Sequence, residues 1–157
     1  MGSRLALPLA AAALAGGLAT GCGEELPRMP FSCTQQQPEL YTPALRAAPG
    51  DVRLGDGTAI STCVTRARSD ADLQALGLLL SGVAEDLAIR ARDARDPVAA
   101  TRLGFLAGAV RRGASRTNGI QENLARRIEG TAIKLEGAPA RVQTALVDGT
   151  RAGLARG

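Results

Sequence analysis

From Ser69 onward, apolar residues recur at three- and four-residue steps. Leu73, Leu76, Leu80, Val83, Leu87, Ala91 and Ala94 form one continuous stripe, the period of a helix with a buried face. Leu78, Leu79 and Ile89 widen it, predicting a central helix over about 70–94, buried on more than one side. Its start is Ser69-Asp70-Ala71-Asp72, a capping box with Asp in place of Glu. Asp96-Pro97 supplies a cap and a first helical residue. Ala99, Leu103, Leu106 and Val110, flanked by Val98, Phe105 and Ala109, then predict a second helix over 97–114. A third, over 119–136, is capped by Asn118 with Gln121 three positions on. It turns Ile120, Leu124, Ile128, Ala132 and Leu135 inward and stops at Gly137-Ala138-Pro139. A fourth, over 139–155, presents Val142, Leu146, Gly149 and Gly153. Short joints force antiparallel neighbours. The expected fold is mainly α, a small antiparallel bundle of about four helices.

Small residues add one feature. Ala100, Gly104 and Gly108 make a stripe at four-residue spacing on the second helix. In a membrane that spacing promotes dimerisation; on a helix this rich in arginine, the expectation is that a neighbouring backbone approaches closely. The second and fourth helices share such residues, but no register aligns the rest of them.

Upstream the pattern changes twice. Val52-Arg53-Leu54 and Thr58 to Val64 flank Gly55-Asp56-Gly57, two β-prone runs around a glycine turn. They predict a short hairpin over 52–64, or a loop with a tight turn, packed on the helices. Residues 22–50 carry Pro27, Pro30, Pro38, Pro43 and Pro49, which favours extended chain and leaves room only for a short helical turn at 39–47. This stretch is expected to be a tether, with Phe31, Leu40 and Tyr41 on the domain surface.

The first residues have a third pattern. Arg4 is followed by an apolar run, Leu5 to Leu14, broken by Pro8, and then by Ala15-Gly16-Gly17-Leu18-Ala19-Thr20-Gly21-Cys22. A charged start, a short apolar stretch and a small-residue cleavage region are the parts of a secretory signal. The ending resembles a bacterial lipoprotein signal peptide, although Ala19 stands where leucine is usual. The resemblance covers residues 1–22 alone and implies removal of 1–21, lipid on Cys22 and residence at the extracytoplasmic side of a membrane. Ala19-Thr20-Gly21 also fits ordinary cleavage, which would give a secreted soluble protein. The run is near the lower limit of the ~20 residues a membrane span needs.

The chain contains three cysteines. With Cys22 lipidated, Cys33 and Cys63 remain as a pair in a disulfide-permissive compartment. Their bond would close a loop worth about 3 kcal/mol on the chain-entropy view.

Composition narrows the chemistry. With no Trp, one Tyr and two Phe, the core must be aliphatic. With no His, neither a Ser-His-Asp nor a Cys-His arrangement can be built, nor a histidine-bearing zinc site, and no metal or cofactor is expected. Residues 23–63 carry net charge −2 and 64–157 carry +5. Arg111, Arg112, Arg116, Arg126 and Arg127 form the densest basic region, a possible anion-binding surface as well as ordinary solvated helix ends. Nucleic acid is not expected, because no aromatics are interleaved for stacking. Glu85 and Asp86 point about 100° apart on a helix and do not converge. The expectation is a lipid-anchored envelope protein acting as a non-enzymatic interaction or structural module, whose partners are the membrane, another envelope protein or an anionic surface polymer. The alternative is a binding module for an apolar or anionic small ligand between helices. A hydrolase is a third option, and would need a convergent polar cluster around Asn118, Gln121 and the arginines.

Overall fold

The computed structural model describes Gly2 and residues 28–157, apart from Gln36 and Asn118. The expected signal peptide, Cys22 and the Asn118 cap lie outside the described residues. The protein is mainly helical, with seven helices and no strand among the described residues: α1 (Phe31–Thr34), α2 (Pro38–Ala44), α3 (Ile60–Arg66), α4 (Asp70–Asp93), α5 (Pro97–Ala114), α6 (Glu122–Ile133) and α7 (Ala140–Arg156). A 3-10 turn, Leu45–Ala47, follows α2.

The long helices begin where local chemistry satisfies their first N–H groups. Ser69 Oγ accepts from Asp72 N at 3.0 Å while Asp72 Oδ2 accepts from Ser69 N at 3.4 Å, a complete capping box for α4. Asp96 Oδ1 accepts from Val98 N at 2.8 Å, with Pro97 at the first position of α5. α6 is shorter than the expected 119–136 at both ends: a turn in which Glu122 N bonds Gly119 O at 3.1 Å precedes it, and its far end tightens into successive i to i+3 bonds, such as Glu136 N to Ile133 O at 2.8 Å. Gly137, at φ +82°, then turns the chain.

Two expectations are corrected. The hairpin over 52–64 is absent. Leu54 N bonds Thr58 O at 2.9 Å across the glycine turn, but the second run is helix α3. Ile60, Cys63, Val64 and Ala67 are buried together, a spacing of three, four and seven that is helical. The alternation of β-branched residues at 58, 60, 62 and 64 runs against that burial, and tertiary packing wins. The helix count is accordingly higher than four. The proline-rich segment is more than a tether from Cys33 on: it holds α2 and the 3-10 turn where a short helical turn at 39–47 was expected, and Cys33, Tyr41 and Leu45 belong to the common core, with Tyr41 fully buried rather than on the surface. Phe31 is 74% exposed.

The helix at the centre is α5, not α4. Every residue from Leu103 to Val110 is buried, whereas Leu78 and Ile89 on α4 are exposed. α5 has α7 on one side, α4 and α6 on another, and α3 at its C-terminal end. The α5–α7 contact is parallel and exceptionally close. A Cβ added to Gly104 would lie 2.8 Å from Thr150 N and closer still to the Leu146 carbonyl; one added to Gly153 would lie 2.8 Å from Ala109 N and closer to the Phe105 carbonyl. Gly108 meets Thr150 and Leu154 in the same way, and Gly149 meets Thr101 and Phe105. Glycines on both helices thus let carbonyls of one face the Cα atoms of the other, the setting in which Cα–H···O contacts recur. Gly113 does the same for α3, where an added Cβ would stand 2.6 Å from Ser61 O.

Candidate functional site

The arginine region divides into two groups. Arg111 is held by carboxylates: Nε and Nη2 meet Glu129 Oε1 and Oε2 at 2.6 and 2.5 Å, and Nη1 meets Glu122 Oε2 at 2.6 Å. The paired fork geometry suits a guanidinium, and its charge is neutralised from α6. The Arg111 contact holds the Glu122 carboxyl below its ordinary value, first through the hydrogen bond and then through charge. Arg112 bonds the Leu154 and Ala155 carbonyls, capping the negative end of α7. Arg126 bonds Asn123 Oδ1 at 2.7 Å. These three arginines are engaged within the protein.

Arg116 and Arg127 differ. Both are exposed, and Arg116 lines a hollow of about 360 Å³ with Thr65, Arg68, Thr117, Ile120 and Gln121. Arg68 comes from the turn between α3 and α4, far from Arg116 in sequence, and was not among the expected site residues. Gln121 is 2% exposed, and its Nε2 donates to Ala67 O at 2.8 Å. That bond ties the start of α6 to the end of α3. Thr65 Oγ1 donates to Ser61 O at 2.9 Å and Thr117 Oγ1 to Ala114 O at 2.6 Å.

Other charged groups are similarly occupied. Glu85 accepts from Lys134 Nζ at 2.7 and 2.9 Å and from Thr131 Oγ1 at 3.3 Å, with Lys134 the main cause of its lowered pKa. Asp86 pairs with Arg90. Among the described residues no group of Cys, Asp and Glu could hold a metal ion, and no helix is long and apolar enough to cross a membrane.

Cys33 and Cys63 form a disulfide with a Cα separation of 5.4 Å, fastening α1 to α3. The Tyr41 hydroxyl stands 3.8 Å from Cys63 Sγ, and burial is the first cause of its raised pKa, with the charge on Asp56 second. The Asp56 carboxyl is lowered to about 2, chiefly by hydrogen bonding to Thr58 and then to Ser32.

A second concavity lies where α6 and α7 diverge over α5. It has a volume of about 450 Å³, with Ala107 at its floor, Ala132, Ile133 and Leu135 on one wall and Leu146 and Val147 on the other. Ile133 and Val147 are more than half exposed. No known protein family, curated protein or solved structure matches this chain.

Proposed function

We propose that the chain is exported, anchored through lipid on Cys22 at the extracytoplasmic side of a membrane, and works there as a non-enzymatic interaction module. The observation that carries the reading is the Cys33–Cys63 bond. A disulfide built into the core suits an oxidising compartment, and of three cysteines it leaves Cys22 as the one available for lipid. Supporting the interaction role, Glu85, Asp86, Glu122 and Glu129 are engaged with cations of the same chain. An intact mass of the protein extracted from membranes of its host tests the anchor. The expected species begins at Cys22, carries acyl mass and gains two hydrogens on reduction. A species that retains residues 1–21, or begins at Cys22 without lipid, overturns it in favour of a span or a secreted form. Cross-linking at the membrane would then identify the partner, an envelope protein or an anionic surface polymer.

The groove between α6 and α7 favours a second reading, a binding module for an apolar small ligand. Saturable thermal stabilisation by decanoate, abolished by Leu146→Glu, would support it. No stabilisation would remove it.

A further inference from the structure

Three hollows join into one surface at the end of the bundle where the chain leaves residue 28. The first is lined by Arg28, Met29, Arg66, Arg68 and Asp72. It shares Arg68 with the hollow of Arg116 and Ile120, which in turn shares Ile120 with a third, lined by Leu73, Leu78 and Arg127. Exposed apolar side chains line the hollows with these arginines, Leu78 at 67% and Ile120 at 54%, and Phe31, two residues after Met29, is 74% exposed. Asp70, Asp72 and Glu122 are carboxylates at this end; Asp72 is committed to the α4 capping box and Glu122 to Arg111, while Asp56 bonds Thr58 and Ser32 beside Phe31. At the opposite end of the bundle Arg92 and Lys134 are matched by Asp93 and Glu85, and the exposed Arg95 and Arg141 stand apart from one another, in the α4–α5 joint and the first turn of α7.

We infer that this arginine face lies against a bilayer of anionic phospholipid. The inference rests on the lipid-anchor reading. Cys22 precedes Arg28 by six residues, and six residues reach at most about 20 Å. The end that carries Arg28 is therefore the end an anchored body can bring to the lipid surface. Guanidinium groups there meet headgroup phosphates, and Phe31 and Ile120 enter the boundary between headgroup and acyl chain. Arginine in the surface potential of an anionic leaflet favours the bound orientation by about fivefold per residue, an effect that falls with salt.

The test is residue-resolved. Protein taken from its native membrane is reconstituted into vesicles of phosphatidylcholine alone or mixed with phosphatidylglycerol. Arginines are modified with phenylglyoxal and read by mass spectrometry. Arg68 and Arg116 should react about fivefold more slowly on the anionic vesicles, whereas Arg92, Arg141 and Arg151 react equally on both. Charge reversal, Arg68→Glu with Arg116→Glu, should remove the protection of Arg66 and Arg127. Uniform protection, or protection of Arg92 and Arg141 instead, overturns the inference. So does protection of Arg68 and Arg116 by soluble polyglycerol phosphate but not by anionic vesicles, which would assign the face to a surface polymer. Retention on neutral vesicles reports the anchor separately, so failure of the anchor and failure of the face are distinguishable.

Discussion

The seam between α5 and α7 makes the strongest demand on individual residues, and alanine tests it with a built-in control. At Gly82 on α4 and Gly130 on α6 nothing lies within 4 Å of an added Cβ. Alanine there should stabilise by about 0.5–1 kcal/mol, the difference in helix propensity. At Gly104 the same Cβ meets Thr150 N at 2.8 Å and the Leu146 carbonyl more closely, against an optimal carbon contact of about 3.5–4.0 Å. Backbone atoms cannot rotate aside as a side chain can, so the two helices must part by on the order of 1 Å. Overpacking of this kind costs about 3 kcal/mol, of which propensity returns about 1, leaving Gly104→Ala destabilised by about 2 kcal/mol. The gap between Gly104→Ala and Gly82→Ala is then about 3 kcal/mol, roughly two orders of magnitude in the unfolding constant.

The assay is urea denaturation followed by far-ultraviolet circular dichroism with the disulfide intact, comparing midpoints at constant m. A double variant sharpens it. Once Gly104→Ala has parted the helices, Gly149→Ala finds space already made, so the pair should cost about 2 kcal/mol less than the sum of the singles. If Gly104→Ala and Gly153→Ala track Gly82→Ala, or if the double variant is simply additive, the reasoning from close backbone approach is wrong.

Arg111→Met should leave Glu122 and Glu129 without their shared cation and destabilise at neutral pH by about 1–2 kcal/mol. Because the Glu122 carboxyl is held below its ordinary 4.5, its contribution is present above that value and lost as pH falls through the folded pKa. The natural protein should therefore lose stability on acidification below about 4.5 more steeply than the variant, as thermal melts across that range would read. Tyr41, the single tyrosine, should form no tyrosinate in the folded protein near its ordinary pKa of 10.0. A phenol held protonated in this way withdraws stability as pH rises above that value, so tyrosinate absorbance should appear together with unfolding; its appearance in folded protein refutes the burial argument. Arg95 sits at φ +52° just beyond α4, and Arg95→Gly should raise stability by about 1 kcal/mol in the same urea assay.

The long helices were legible because their signals are local. Ser69 with Asp72, and Asp96 with Pro97, mark helix starts within four residues and act through bonds that span no more than three. Burial that depends on distant partners was not legible. Leu78 and Leu79 are adjacent and equally apolar, yet one is exposed and the other buried, since the placement of the other helices around α4 separates them. α3 was hidden by length: over seven residues, the helical face Ile60, Cys63, Val64 competes with an equally good alternation of β-branched residues. In the basic region, chain proximity grouped Arg111, Arg112 and Arg116. The fold separates Arg116 from the other two and joins it to Arg68 across the α3–α4 turn. The carboxylates that hold Arg111, Glu122 and Glu129, lie seven apart on one helix and were not singled out; an antiparallel α5–α6 joint was expected, but the rotation of α6 that turns both towards Arg111 was not legible.

The glycine seam also accounts for why the molecule has the surfaces it has. In an evenly spaced four-helix bundle, α7 would divide its contacts between α5 and α6. Here Gly104, Gly108, Gly149 and Gly153 draw α7 onto α5 so closely that α6 is left to pack on α4 and α5. Two consequences follow from that one displacement. The side of α7 facing α6 cannot be closed, which opens the groove over Ala107. And because α5 and α7 run parallel, their C-terminal dipoles lie side by side, a repulsion that Arg112 relieves by bonding the α7 carbonyls from α5. Arg111, one residue earlier, points instead to α6. Adjacent arginines are thus consumed by α6 and α7, two of the neighbours of α5, while Arg68 and Arg116, in the joints between helices, and Arg127, within α6, stay exposed towards the edge nearest Arg28. If α7 were released from α5 by alanine in the seam, Arg112 would lose its carbonyl partners. The basic end and the apolar groove should then change together, although they lie at different places on the surface.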